Sequence, residues 1–376
     1  MTFIRHLLSV IRFMQLPRAQ RRLVFYSEGK NYWPHLEGLV RSCLDGFGLP
    51  VLYLTSDPDD PGLLLTHERL YSCNIGDRAV RTWLFANLDA DVMVTTTPDL
   101  ENFQLKRSRH RVHYVYVQHS MVSLHMIYRT GAFDHFDTIF CAGPHHCREA
   151  RALEEQRKTP PKILVEHGYG RLAAIIAEAK AHRQSRAQKD PCRVLVAPSW
   201  GPNGIIETRG AELVEVLLAA GFEVILRPHP QTARLAGDTL ARISDQHGGK
   251  ARLQVENNVA GRDSLHRSDV MISDWSGAAL EYALGLEKPV VFIDVPRKVN
   301  NPEYRKIDID PIEVTIREKI GTIVDPSDLA SLPGIIRATV SQASNAETLA
   351  SLRQEVVFNI GTQDEIGARY LSQLLS

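Results

Sequence analysis

No CxxC pair occurs in this sequence, and its cysteines are odd in number: Cys43, Cys73, Cys141, Cys147 and Cys192. A disulfide framework needs pairs and a structural zinc site needs closely spaced thiolates, so the sequence argues against both. A reduced, cytoplasmic setting fits this usage. No apolar run reaches the roughly 18 residues that suggest a transmembrane helix. A charge surplus is also missing, because Lys plus Arg and Asp plus Glu stand at 44 each. Nucleic-acid binders usually carry a basic field, so no nucleic acid is expected as a partner. An anionic ligand must be met by a local site instead. Low-complexity tracts and repeats of solenoid length are absent as well.

What is present is ordinary for a soluble enzyme: 376 residues, 44% apolar and 23% charged, a length that suggests two domains. Short β-rich runs at 23–27, 51–55, 92–96, 112–118, 138–142 and 162–166 alternate with helical patterns. The rhythm repeats with strands at 194–197, 224–227, 270–273, 290–293 and 322–324, and with helices at 211–220 and 278–286. Such alternation argues for parallel sheets with crossover helices. The polar stretch 174–188 breaks at Lys189, Asp190 and Pro191. The expectation is an α/β, GT-B-like chain of two doubly wound, Rossmann-like domains at 23–188 and 189–345, with a cleft between them. C-terminal helices follow at 346–376, and an amphipathic, basic segment precedes at 1–22. In that segment Phe3, Ile4, Leu7, Leu8, Ile11 and Met14 recur at helical spacing, Pro17 ends the pattern, and Arg18, Arg21 and Arg22 follow. The pattern reads either as a helix lying in an anionic membrane surface or as a helix packed on its own domain.

In open parallel sheets, ligands bind beyond the carboxyl ends of the strands. Four such places carry unusual polar chemistry: His119-Ser120, Pro198-Ser199-Trp200-Gly201, Arg227-Pro228-His229-Pro230 and Asp274-Trp275-Ser276-Gly277. Ser276 and Gly277 open a helix, where free N–H groups and the helix dipole favour an anion. Ser276 adds a hydroxyl, and Gly277 lets a phosphate approach the backbone. An ordinary N-cap by Asp274 or Ser276 is the plainer reading. Prolines on both sides restrict the backbone of His229, which suits an imidazole held toward a pyrophosphate, and Arg227 adds a guanidinium that matches phosphate oxygens. His119 follows a strand of the other domain, where a neutral imidazole can take a proton from an attacking hydroxyl. His110, His113, His125, His135, His145 and His146 crowd the same region, yet no HxxxH-plus-carboxylate pattern emerges, so no metal site is assigned.

The ordered series VQHS (117–120), GYGR (168–171), VLVAPSW (194–200), RPHP (227–230), DVMISDWSGAALEYA (269–283) and KPVVFID (288–294) resembles the CDP-glycerol glycerophosphotransferase family of teichoic acid synthesis. Ser120 stands where the family usually has Gly, and Glu281 where Asp is common. The resemblance implies a GT-B-like fold and transfer of a glycerol-phosphate group from CDP-glycerol, or a similar CDP- or CMP-activated donor, with release of CMP. It implies His119 as base, His229 and Ser276 on the donor phosphates, Asp274 and Ser199 in support, and Glu281 near the donor ribose. The expected acceptor is a lipid-linked saccharide or polymer, met by a cytoplasmic protein peripheral on the inner face of the plasma membrane. These residues require no cofactor, and Mg²⁺ on the pyrophosphate is compatible with them. The alternatives are a nucleotide-sugar enzyme of the same architecture, either UDP-GlcNAc 2-epimerase-like or a CMP-sugar glycosyltransferase, and a noncatalytic protein that binds an envelope polymer.

Overall fold

The computed structural model describes the chain apart from residues 1–5, 7–9, 12, 77–78, 104, 183–190, 248, 250 and 342–345. The expected break at Lys189 and Asp190 lies outside the described residues, as do Phe3, Ile4, Leu7 and Leu8. Among the described residues, thirteen strands form two sheets. The first contains β1 (Leu23–Ser27), β2 (Val51–Thr55), β3 (Leu70–Asn74), β4 (Val92–Thr95), β5 (His113–Val117), β6 (Thr138–Cys141) and β7 (Ile163–Glu166). Its order is β3-β2-β1-β4-β5-β6-β7. The second contains β8 (Arg193–Val196), β9 (Glu223–Leu226), β10 (Leu253–Val255), β11 (Val270–Ser273), β12 (Val290–Ile293) and β13 (Gly321–Val324), ordered β10-β9-β8-β11-β12-β13. All the strand pairs are parallel, with in-step registers such as Leu23↔Val51 and Val270↔Val194.

The central strands are buried on both faces, so they read as near-continuous apolar runs. Two strands escape the sequence pattern. β3 is half-buried, β10 is largely exposed, and each closes an edge of its sheet. An edge strand needs less apolar surface, so its sequence carries a weaker signal.

Strand order reverses between β1 and β4 and between β8 and β11. Crevices open at such switch points. The helix Gln363–Leu374 does not stay with the second sheet. Ala368 and Leu371 pack among Leu23, Phe25, Leu36 and Leu39 of the first, so the chain crosses back to cover the lobe where it began. Two further ties join the lobes. Asn301 Nδ2 donates to the carbonyl of His125 at 2.8 Å, and Glu313 accepts from Ser123 N at 2.9 Å and from its hydroxyl at 2.6 Å.

At the N-terminus, Val10 and Phe13 are 1% exposed and belong to the first lobe's core, whereas Ile11 and Met14 face outward. Arg18 and Arg21 pair with Asp89, and Arg18 and Arg22 pair with Asp91. The basic flank therefore has counter-charges on its own domain. No helix among the described residues is long and apolar enough to cross a membrane.

Candidate functional site

On the first lobe, β4 delivers the carbonyl of Thr96 and β5 delivers His119 to the same crevice. His119 Nδ1 lies 3.0 Å from the Thr96 carbonyl and 3.0 Å from the Tyr116 hydroxyl. A carbonyl only accepts, so Nδ1 carries the proton and Nε2 keeps its lone pair, an assignment made from the partners. Tyr32, Tyr128 and His35 surround the ring edge-on, with centroids 5.6, 5.7 and 6.3 Å away. Burial pulls the His119 pKa down to about 4, opposed by the Thr96 hydrogen bond. The imidazole is thus neutral near pH 7 and able to accept a proton.

Sequence reasoning missed the neighbours that follow β1. The Glu28 carboxyl is pushed up by burial, against the pull of Arg81 and a hydrogen bond from Tyr32. His35 is held well below its ordinary value by burial, then by the charges of Arg171, His119 and Arg262. Its Nδ1 is buried without a hydrogen-bond partner among the described residues. Inspecting the end of β1 as closely as the other strand ends would have found these groups. Two of the crowded histidines, in contrast, are architectural. His145 and His146 bond the carbonyls of Met121 and Val122 through Nε2 at 3.0 and 2.9 Å, which fixes the segment just after His119.

On the second lobe, Asp274 leaves β11 at the switch point. Its Oδ1 accepts from Ser199 N, after β8, and from Trp275 N, both at 2.6 Å. Oδ2 is buried without a partner among the described residues. Burial raises the pKa of Asp274, while the Ser199 and Trp275 hydrogen bonds lower it. These bonds set the turn from which Ser276 (φ −82°, ψ 136°) caps the helix Gly277–Leu286, accepting from Ala278 N at 3.3 Å. Gly277 makes a close approach, because a Cβ there would stand 2.4 Å from Ser120 Oγ of the opposite lobe and would turn that hydroxyl aside. The helix N-terminus therefore sits directly against the His119 segment.

His229 Nδ1 accepts from Gln231 N at 3.1 Å. In the neutral ring this leaves the proton on Nε2, the reverse of His119. Burial, then the charges of Lys298 and His119, bring its pKa to about 3. Its ring lies 5.9 Å from that of Trp200, and Lys298 Nζ sits 4.0 Å from the Trp200 centroid. Lys298, after β12, was not singled out by motif, although the strand-end rule covers its position too.

Two expected residues have different immediate partners. Arg227 is buried, with its guanidinium bonded to Ser264 Oγ at 2.8 Å and to the carbonyls of Val259 and Gly261 at 2.6 and 2.9 Å. It braces a loop rather than pointing a free fork into the cleft. Glu281, expected beside a ribose, accepts from Tyr169 at 2.7 Å and from Arg171 Nε at 2.9 Å. The Tyr169 hydroxyl also lies 3.1 Å from the His119 carbonyl. The GYGR turn thus ties the helix Gly277–Leu286 to the loop that carries His119, a link no sequence pattern states.

No family model and no curated protein matches the chain. Solved structures do. A structure of the wall teichoic acid polymerase TagF soaked with CDPG covers 99% of this chain and 96% of its own, with a TM-score of 0.61 at 14% identity. The fold is GT-B-like. Anabaena HepE in complex with UDP and glucose covers 94% of this chain and 99% of its own (TM-score 0.54, 12% identity). The UDP-GlcNAc 2-epimerase of Methanocaldococcus jannaschii covers 94% and 98% (TM-score 0.53, 12% identity). At such identities the likeness establishes the architecture, and substrate must be argued from the site.

Proposed function

We propose that this protein transfers a glycerol-phosphate-type group from CDP-glycerol to an acceptor hydroxyl on a cell-envelope saccharide or polymer, releasing CMP. The observation that carries the reading is the pair of neutral histidines fixed in opposite tautomers. His119 offers a lone pair on Nε2, and His229 offers an N–H on Nε2. The acceptor hydroxyl gives its proton to His119 as its oxygen bonds to the donor's distal phosphorus. The bond from that phosphorus to the bridging oxygen breaks, and CMP leaves with the electron pair. His229, Ser276 and the helix N-terminus stabilise the departing charge, the kind of positioned electrostatics on which phosphoryl transfer relies. A base with a pKa of about 4 is weak. The donor's negative charge raises that value on binding, toward the range where proton transfer is effective.

Ile11 and Met14 remain exposed beside the packed Val10 and Phe13, which supports apposition to the cytoplasmic membrane face where a lipid-linked acceptor would lie. Mass-spectrometric identification of the released nucleotide tests the reading. CMP from CDP-glycerol in the presence of a hydroxyl acceptor is expected. UDP from a UDP-sugar would replace it with the nucleotide-sugar reading, and release of no nucleotide would leave a noncatalytic polymer binder.

A further inference from the structure

The second lobe holds a cation that the motif series does not use. Lys298 has neither an ion-pair partner within 4.0 Å nor a hydrogen-bond acceptor among the described residues. Its Nζ lies over the face of Trp200, 4.0 Å from the ring centroid, and Trp200 in turn leans on His229. Burial works against its charge and lowers its pKa to about 8, while Asp274 and Glu207 oppose that shift. An ammonium carries three donors, and Nζ stays open to solvent, so the oxygens of a ligand can take the place of the water on it. Three nearby arginines are already engaged: Arg171 by Glu281, Arg262 by Glu178, and Arg227 by Ser264 and loop carbonyls.

We propose that Lys298 is a donor-binding residue, whose ammonium pairs with the diphosphate oxygens of a nucleoside-diphosphate-linked donor held between His229, Trp200 and Ser276. The proposal rests on the donor site assigned above and names the positive charge that site otherwise lacks. Lysine serves such a role as a point charge, and the indole face gives it a resting place when no phosphate is bound. Three titratable groups act on it, and a fourth, Arg297, precedes it in the chain with its guanidinium 5.8 Å from the Trp275 ring centroid. Asp274, after β11, and Glu207, in the helix Ile205–Ala219, favour its charged form. His229, after β9, is neutral above its pKa of about 3. The titration of Lys298 therefore dominates donor affinity in the alkaline range. Above about pH 8 the free lysine is neutral and must take up a proton to bind an anion. Affinity then falls by up to about tenfold per pH unit.

Isothermal titration calorimetry of the full chain with CDP-glycerol and, separately, with UDP-GlcNAc, at pH 7 and pH 9, tests this. Parent, Lys298→Met and Lys298→Arg proteins are compared. For whichever donor the parent binds, Lys298→Met is expected to weaken binding about tenfold or more at pH 7 and to abolish the pH dependence. Lys298→Arg, which keeps a charge, is expected to retain most of the affinity. Unchanged affinity and unchanged pH dependence in Lys298→Met overturn the inference. A parent that binds only UDP-GlcNAc overturns the choice of donor, and Lys298 is then judged on that ligand. A parent that binds neither donor overturns both.

Discussion

Glu313 is a carboxyl group in the contact between the lobes, 1% exposed, where it accepts from the backbone and hydroxyl of Ser123. Burial is the main cause that pushes its pKa up, from 4.5 to about 7. The nearby Glu149 adds to the shift, and the Ser123 hydrogen bonds oppose it. Between those two values the folded protein holds a proton that the unfolded chain has released. The stability this group contributes is therefore full below about pH 4.5, declines as pH rises to about 7, and is level above that. At about 1.4 kcal/mol per pH unit the loss is about 3 kcal/mol. For a chain of 376 residues, with an unfolding entropy of about 2 cal/mol/K per residue, this is about 4 °C in Tm. His125 lies in the same cluster, its Nδ1 3.5 Å from Glu149, and its pKa is raised. Its contribution also fades as pH rises, so the parent's own pH curve mixes the two. Glu313→Gln separates them, because the amide keeps an acceptor for Ser123 and does not titrate. The measured quantity is the difference in Tm between parent and variant by scanning calorimetry from pH 4.5 to pH 8. The variant is expected to gain about 4 °C on the parent across that range. A difference that stays constant with pH refutes the reasoning, because it would mean that Glu313 does not exchange its proton on unfolding.

Three other expectations concern function. His119→Ala is expected to lower kcat by about 10²–10⁴ with little change in donor affinity, and near-normal turnover across the pH range would remove His119 from the mechanism. Ser276→Ala and His229→Ala are each expected to weaken CDP-glycerol binding in a calorimetric titration, and parent-like affinity in both would place the donor elsewhere. Because Val10 and Phe13 are core residues, truncating the N-terminus would disturb folding. The double variant Ile11→Asp/Met14→Asp is the cleaner probe, and it is expected to release the protein from anionic vesicles in a sedimentation assay. A parent that ignores such vesicles even at low salt would leave that segment with a packing role alone.

The central strands were legible from sequence because they are buried on both faces, and their Val/Leu/Ile runs need no distant information. β1, β2, β11 and β12 fall where the runs fall. The cap at Ser276 and the turn around His229 were legible for a similar reason, since capping and proline restriction act within a few residues. Strand-end logic then placed His119, Ser199, His229 and Asp274 at the mouths of the sheets. Beyond that reach, contacts between distant segments decided the outcome. The carbonyls of residues 259 and 261 took up the guanidinium of Arg227. Tyr169 and Arg171 engaged both oxygens of Glu281. The loop after β12 brought Lys298 over Trp200, and the last helix returned to the first lobe. The protonation of His119 likewise depends on a carbonyl from a neighbouring strand and on burial that no local pattern encodes. A helix cap or a buried strand is set by neighbours along the chain. The partners of a long charged side chain are set by which elements pack beside it, and that is a property of the tertiary structure.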